Sequence, residues 1–140
     1  HLGLRPSRCL LVDFGGELRV TGFGLARALE RMGLRPDAPG RPAEALAFAA
    51  PESLLDPASA DERTDVYGLG AVLFAMLAGR PPFPGTDRML LLHAVLSMEP
   101  EVLSGGPHVP PALARAAHRA LCKDPAGRFA SAAEFRAALC

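Results

Sequence analysis

The stretch Thr64-Asp65-Val66-Tyr67-Gly68-Leu69-Gly70-Ala71-Val72-Leu73-Phe74-Ala75-Met76-Leu77-Ala78-Gly79 is the longest apolar run in the chain. It limits the folds open to everything else. Thr64 is suited to cap a helix, because its hydroxyl can accept a first-turn backbone N–H. Gly79 is suited to close one. Between them the apolar residues go almost all the way round, and a helix of that kind is buried in a core or in a membrane. A membrane span needs about 20 apolar residues. The run falls short of that, and Asp65 lies in its first turn. The reading is a central buried helix over about 64–78 on which the other elements pack. A carboxylate in such a helix must find hydrogen-bond partners, since an unpaired buried charge is very costly.

The 140 residues suit one compact unit. Acidic and basic residues balance at 15 each, so the chain lacks the basic excess of nucleic-acid binders. Lys123 is the sole lysine. With many Ala, Gly and Pro, this bias points to a GC-rich bacterial genome. The cysteines, Cys9, Cys122 and Cys140, are scattered and odd in number, which fits a reducing, cytoplasmic setting better than a disulfide framework. They form no metal-ligand spacing with His1, His93, His108 and His118. No signal peptide pattern is present, and the start at His1 is expected of a fragment or trimmed domain.

Residues 8–22 read as a β-hairpin. Cys9–Val12 is a short apolar strand, Asp13-Phe14-Gly15-Gly16 has turn chemistry, and Glu17–Thr21 alternates as a half-buried strand does. Residues 31–44, rich in Gly and Pro, read as a loop with the character of a functional surface segment. Past the central helix, Arg80–Gly85 is a rigid turn. Thr86 is placed to cap a helix reaching about Met98, with Leu90, Leu91, Val95 and Leu96 inward. Pro111 suits a helix start, followed at helical spacing by Leu113, Ala116, Ala117, Ala120 and Leu121. Ser131 and Glu134 form a capping box opening a last helix through Leu139. The chain is therefore expected to be mainly α with one small β-hairpin.

Six stretches then converge on one pattern. The opening His1-Leu2-Gly3-Leu4-Arg5-Pro6-Ser7-Arg8 resembles a kinase catalytic loop, His-Arg-Asp-Leu-Lys-Pro-x-Asn. Gly22-Phe23-Gly24 stands where that family has Asp-Phe-Gly. Ala50-Pro51-Glu52 matches Ala-Pro-Glu. Asp65–Gly70 is similar to the start of the family's buried helix, and Arg80–Phe83 and Asp124–Arg128 also match. The chain thus resembles the C-terminal lobe of a protein kinase of the bacterial serine/threonine type, across residues 1–140. The resemblance implies the C-lobe of the protein-kinase-like α+β fold, with an N-lobe absent from this chain. In the family, two further helices precede the catalytic loop. Without them the helix face along Val66–Leu77 is expected to stay apolar and exposed.

The resemblance also implies roles, position by position. The catalytic base and the two magnesium ligands of the family fall at Gly3, Arg8 and Gly22, and none of these residues supplies an oxygen donor. Arg5 keeps the charge of the family's lysine. Leu10, Val72 and Met76 match positions beneath the adenine. His1 and Phe23 match the regulatory hydrophobic stack over Asp65, and Glu52 matches the partner of Arg128. Asp13-Phe14-Gly15 spells the metal-binding tripeptide but lies between the strands, where Asp-x-Gly is ordinary turn chemistry. Between Leu25 and Phe48 no Ser, Thr or Tyr offers a phosphorylation switch, and Ala45 stands at the substrate-facing threonine. The family uses ATP and magnesium; no cofactor and no metal are expected of this chain. The implied function is that of a pseudokinase signalling module. It would bind other proteins through loop 31–44 or helix 86–98 and its own N-lobe, with no nucleic acid and no membrane span. The alternatives are a fragment of an active serine/threonine kinase and a non-functional remnant.

Overall fold

The computed structural model describes residues 4–11, 18–23, 28, 32, 43–103 and 109–140. Two short strands, β1 (Cys9–Leu11) and β2 (Leu18–Val20), pair antiparallel with Leu10 opposite Arg19. The rest is mainly helical: α1 (Ala43–Ala47), α2 (Pro51–Leu55), α3 (Glu62–Ala78), α4 (Arg88–Ser97), α5 (Pro111–Ala120) and α6 (Ala132–Ala137). Single 3-10 turns at Pro6–Arg8, Pro57–Ser59 and Pro125–Gly127 each begin on proline, whose fixed φ suits a helical first residue.

The apolar run forms α3. It starts earlier than Thr64, because Asp61 takes the cap: its carboxylate accepts the Arg63 N–H at 2.8 Å. Thr64 sits one turn in, and its hydroxyl accepts the Asp61 N–H at 3.2 Å. Asp61 and Thr64 are both competent caps three residues apart, and the earlier one won. Gly79 ends the helix at φ 70°, in the left-handed region. Val66, Tyr67, Ala71 and Phe74 are fully buried, while Leu69, Val72, Leu73 and Leu77 are half-buried and Met76 is exposed. The covered side of α3 faces α1, α4 and α5, and its first half also meets Phe129 and Phe135 near the C-terminus.

Small residues let α3 and α5 approach closely. A Cβ on Gly70 would stand 2.5 Å from the Ala120 Cβ, so the helix backbones are in near contact. Ala116, Ala117 and Ala120 are buried at this seam, and Leu113 is only half-buried.

Helix α4 begins one residue later than Thr86 would place it. The Asp87 carboxylate accepts both the Met89 and Leu90 N–H groups at 2.9 Å. Leu91 and Val95 point inward, but Leu90 is exposed, a correction to the expected inner face. The three consecutive leucines 90–92 give periodicity little to choose by. Helix α6 stops at Ala137 rather than Leu139. Ser131 caps it, and Glu134 reaches the N–H of Ala130 rather than of Ser131. Helix α1 falls partly inside the expected loop 31–44, most of which lies outside the described residues.

Candidate functional site

The residues that chemistry would need lie on either side of the first hairpin. Leu4 is buried and seats this end of the chain on α3: its Cβ would be 3.0 Å from a Cβ on Gly68. Arg5 follows, half-buried, with its Nε shielded from solvent and without a hydrogen-bond partner among the described residues. The Arg5 carbonyl accepts the Cys9 thiol at 3.6 Å, bracing the Pro6–Arg8 turn. Gly22 follows β2 with φ 86° and offers no side chain, and Phe23 beside it is exposed. His1, Gly3 and Asp13 lie outside the described residues, as do the side chains of Arg8 and Leu10. Asp65 is half-buried and engaged with a partner. Val72 and Met76 lie one turn apart on the less covered side of α3.

A cavity of about 510 Å³ joins Pro6 of this stretch to Ala43, Ala47 and Phe48 of the α1 segment, with Ala75 behind it and Arg80 at its edge. Its lining is mostly apolar. Arg80, its charged lining residue, bonds Glu101.

A dense polar constellation gathers around Arg128. Arg128, buried, grips Glu52 with two parallel bonds of 2.7 and 2.8 Å. Its remaining N–H groups donate to the carbonyls of Arg63, Cys122 and Lys123 at 3.0, 2.7 and 3.0 Å. All five donors of the guanidinium are thereby used. Its plane lies 4.9 Å from the centre of the Tyr67 ring, a cation–π distance. The Thr64 hydroxyl donates to the same Glu52 carboxylate at 2.8 Å. Burial alone would raise the Glu52 carboxyl. The bonds from Arg128, its own backbone N–H and Thr64, with the Arg128 charge, outweigh burial and hold the carboxyl below its usual range. The site fixes α2 to α3 and to the turn before α6; with every donor occupied, it is built to hold shape rather than to react.

Three side chains make contacts that had no clear signal in the sequence. Thr64 bonds Glu52 across 12 residues. His118 accepts the Leu103 N–H at 3.0 Å through Nε2 and meets Phe74 edge-on. Lys123 donates to the Val95 carbonyl at 2.7 Å and lies 4.3 Å from the Phe83 ring centre. Its rarity was the one hint. Burial, partly opposed by the charge of Glu99, lowers the Lys123 ammonium to about 8.

Tyr67 gives a direct test of this core. Its side chain is fully buried and its hydroxyl has no partner among the described residues; burial pushes the hydroxyl pKa up. An unsatisfied buried hydroxyl costs about 1–3 kcal/mol. Tyr67→Phe keeps the ring under Arg128 and is expected to stabilise the fold by about 1 kcal/mol, read as a rise in the denaturation midpoint. A fall would show that the hydroxyl is bonded.

The protein kinase domain pattern matches residues 1–136. The chain is 37% identical over 132 residues to the serine/threonine-protein kinase PkaA of Streptomyces coelicolor, covering 91% of this chain and 23% of that protein. It is 36% identical over 141 residues to PknJ of Mycobacterium tuberculosis, covering 96% of this chain and 23% of that one. It is 30% identical over 138 residues to PrkC of Bacillus subtilis, covering 98% and 21%. The chain therefore spans about a quarter or less of the curated relatives it matches.

Proposed function

Because the chain belongs to the protein kinase domain family, we propose that it is a C-terminal lobe without phosphoryl transfer of its own, working as a protein-binding or regulatory module. The observation that carries the reading is the residue set at the three positions where the family needs a base and metal ligands. Gly3, Arg8 and Gly22 offer no carboxylate or amide oxygen. Magnesium takes oxygen ligands, and phosphoryl transfer rests on positioning and on neutralising the developing charge. The residue set does not fit the ion.

The scaffold supports the same reading from the other side. Glu52, Thr64 and Arg128 form a saturated node that keeps the Ala50-Pro51-Glu52 segment docked. Shape is retained where the chemistry is lost. No helix among the described residues is long and apolar enough to cross a membrane. The scattered, odd-numbered cysteines are the ground for proposing a reducing, bacterial cytoplasmic setting. Its N-lobe would lie elsewhere in the protein, with His1 and Phe23 stacking over Asp65 and with Leu10, Val72 and Met76 toward the adenine position.

The kinase activity that names these relatives favours a second reading: a fragment of an active serine/threonine kinase, with groups from outside this chain completing the site. Asp13 is then the remaining candidate metal ligand. A thermal-shift titration of the full-length protein with ATP, with and without magnesium, separates the two, since any ligand of the folded state raises the melting temperature by mass action. The first reading expects no magnesium-dependent shift and no phosphate transfer. Transfer abolished by Asp13→Ala would overturn it.

A further inference from the structure

A smaller cavity, of about 330 Å³, lies between α5 and the segment that follows α4, away from the residues matched to catalysis. Four of its lining residues, Pro111, Ala114, Arg115 and His118, are spaced to share one face of α5. Val102 and Leu103 form the opposing wall. Small-molecule pockets begin at about 300 Å³, so the space suits a small ligand and not a large one.

The two walls are tied to each other and to the core. The Leu103 N–H donates to His118 Nε2 at 3.0 Å, and the His118 ring meets Phe74 of α3 edge-on. Glu101, two residues before Leu103, is bonded to Arg80. A site braced in this way loses little order when it is filled, which favours binding.

Polarity selects the ligand. A neutral imidazole that accepts at Nε2 carries its proton on Nδ1, so His118 supplies an N–H donor to the lining. Arg115 is exposed and makes no hydrogen bond or ion pair among the described residues. Arg119, one turn further along α5, is by contrast spent on Glu134 and on the Phe129 ring. No side chain in the lining carries a carboxylate. Donors without acceptors fit an anion. The other four lining residues are apolar, and Val102 is 72% exposed, which fits hydrocarbon beside the charge. A guanidinium matches a carboxylate with two parallel bonds. A phosphate, with more charge and more oxygens to satisfy, finds one arginine and a largely apolar wall.

We infer that this cavity binds a small monocarboxylate with a short apolar body, its carboxylate on the Arg115 guanidinium and its hydrocarbon against Val102, Leu103 and Ala114. The site is independent of whether the lobe transfers phosphate. The apolar body supplies affinity, and the arginine selects the charge.

The test uses the full-length protein and octanoate, followed by ligand-observed NMR below the concentration at which octanoate forms micelles. Saturable binding is expected. Octanamide keeps the chain without the charge, and acetate keeps the charge without the chain; each should bind about tenfold more weakly. Arg115→Gln should weaken octanoate about tenfold and leave octanamide unchanged, and Arg115→Lys should restore part of the loss. Val102→Asp, which removes hydrocarbon and adds a like charge, should also cost about tenfold. Both positions are exposed, so the melting temperature of each variant is expected to match the parent and to verify folding. Equal binding of octanamide and octanoate, indifference to Arg115→Gln, or no saturable binding would each overturn the inference. Inorganic phosphate binding more tightly than octanoate, and lost in Arg115→Gln, would overturn it too.

Discussion

Arg128→Ala is expected to lower the unfolding free energy by about 3–5 kcal/mol, the usual cost of removing one partner from a buried ion pair. The guanidinium donates to five acceptor atoms, and its loss removes a bond from each of them. Glu52 keeps only Thr64 as a side-chain donor, and the carbonyls of Arg63, Cys122 and Lys123 lose bonds that water reaches poorly. Arg128→Lys should recover only part of the loss, since an ammonium has three donors and no planar fork. The measurement is a denaturant midpoint at fixed slope. A loss under about 1 kcal/mol would mean that the pair behaves like an exposed one.

Acid gives the same node a second signature. The folded Glu52 carboxyl is held below its unfolded value. A depressed carboxyl contributes stability that is fully present above the unfolded pKa and is lost as pH falls through the folded one. Stability of the parent should therefore decline as the solution is acidified below the ordinary carboxylate range. In Glu52→Gln that part of the decline should disappear.

Gly70→Val is expected to destabilise by about 2–3 kcal/mol, at the upper end of overpacking costs. Helix propensity alone argues the other way, since replacing a mid-helix glycine usually gains a few tenths of a kcal/mol to about 1 kcal/mol. The geometry decides: even the first carbon of a side chain would stand 2.5 Å from the Ala120 Cβ and 3.3 Å from its carbonyl carbon. Backbone on the facing helix cannot rotate away, so α3 and α5 must separate and loosen the Phe74 and Ala117 packing beside them. Ala120→Gly in the same chain should relieve part of the cost, a coupling that a double-mutant cycle reads directly. Equal stability of Gly70→Val and the parent would show that the seam is looser than described.

The helices were legible to different degrees, for physical reasons. The end of α3 at Gly79 is written locally, because a glycine is favoured where φ turns positive. Its start is not, because Asp61 and Thr64 satisfy the same local rule; Thr64 is turned to tertiary use on Glu52. Leu90 and Leu91 are equal in hydropathy and adjacent, so only the packing of α4 decides which is covered. Helix α1 is short, sits against a proline-rich stretch, and depends on packing from Leu46 and Ala47 that no window of sequence contains.

The candidate site divides in the same way. That Gly3, Arg8 and Gly22 lack donor oxygens is a matter of residue identity and is read from the sequence alone. That Glu52 meets Arg128 could be expected only by resemblance, since no local property links residues 76 positions apart. The Lys123 buttress and the cavity beside Arg115 arise from side chains on separate elements, and neither periodicity nor motif announces them.

The long reach of the Glu52–Arg128 bond also bears on how the chain is made. Translation at about 5–20 residues per second separates the two by roughly 4–15 s. During that interval α2 has left the ribosome with its carboxylate but not yet its clasp. The lobe can lock only after Arg128 has emerged, so a message cut short before the codon for Arg128 would release a chain in which Glu52 lacks this partner.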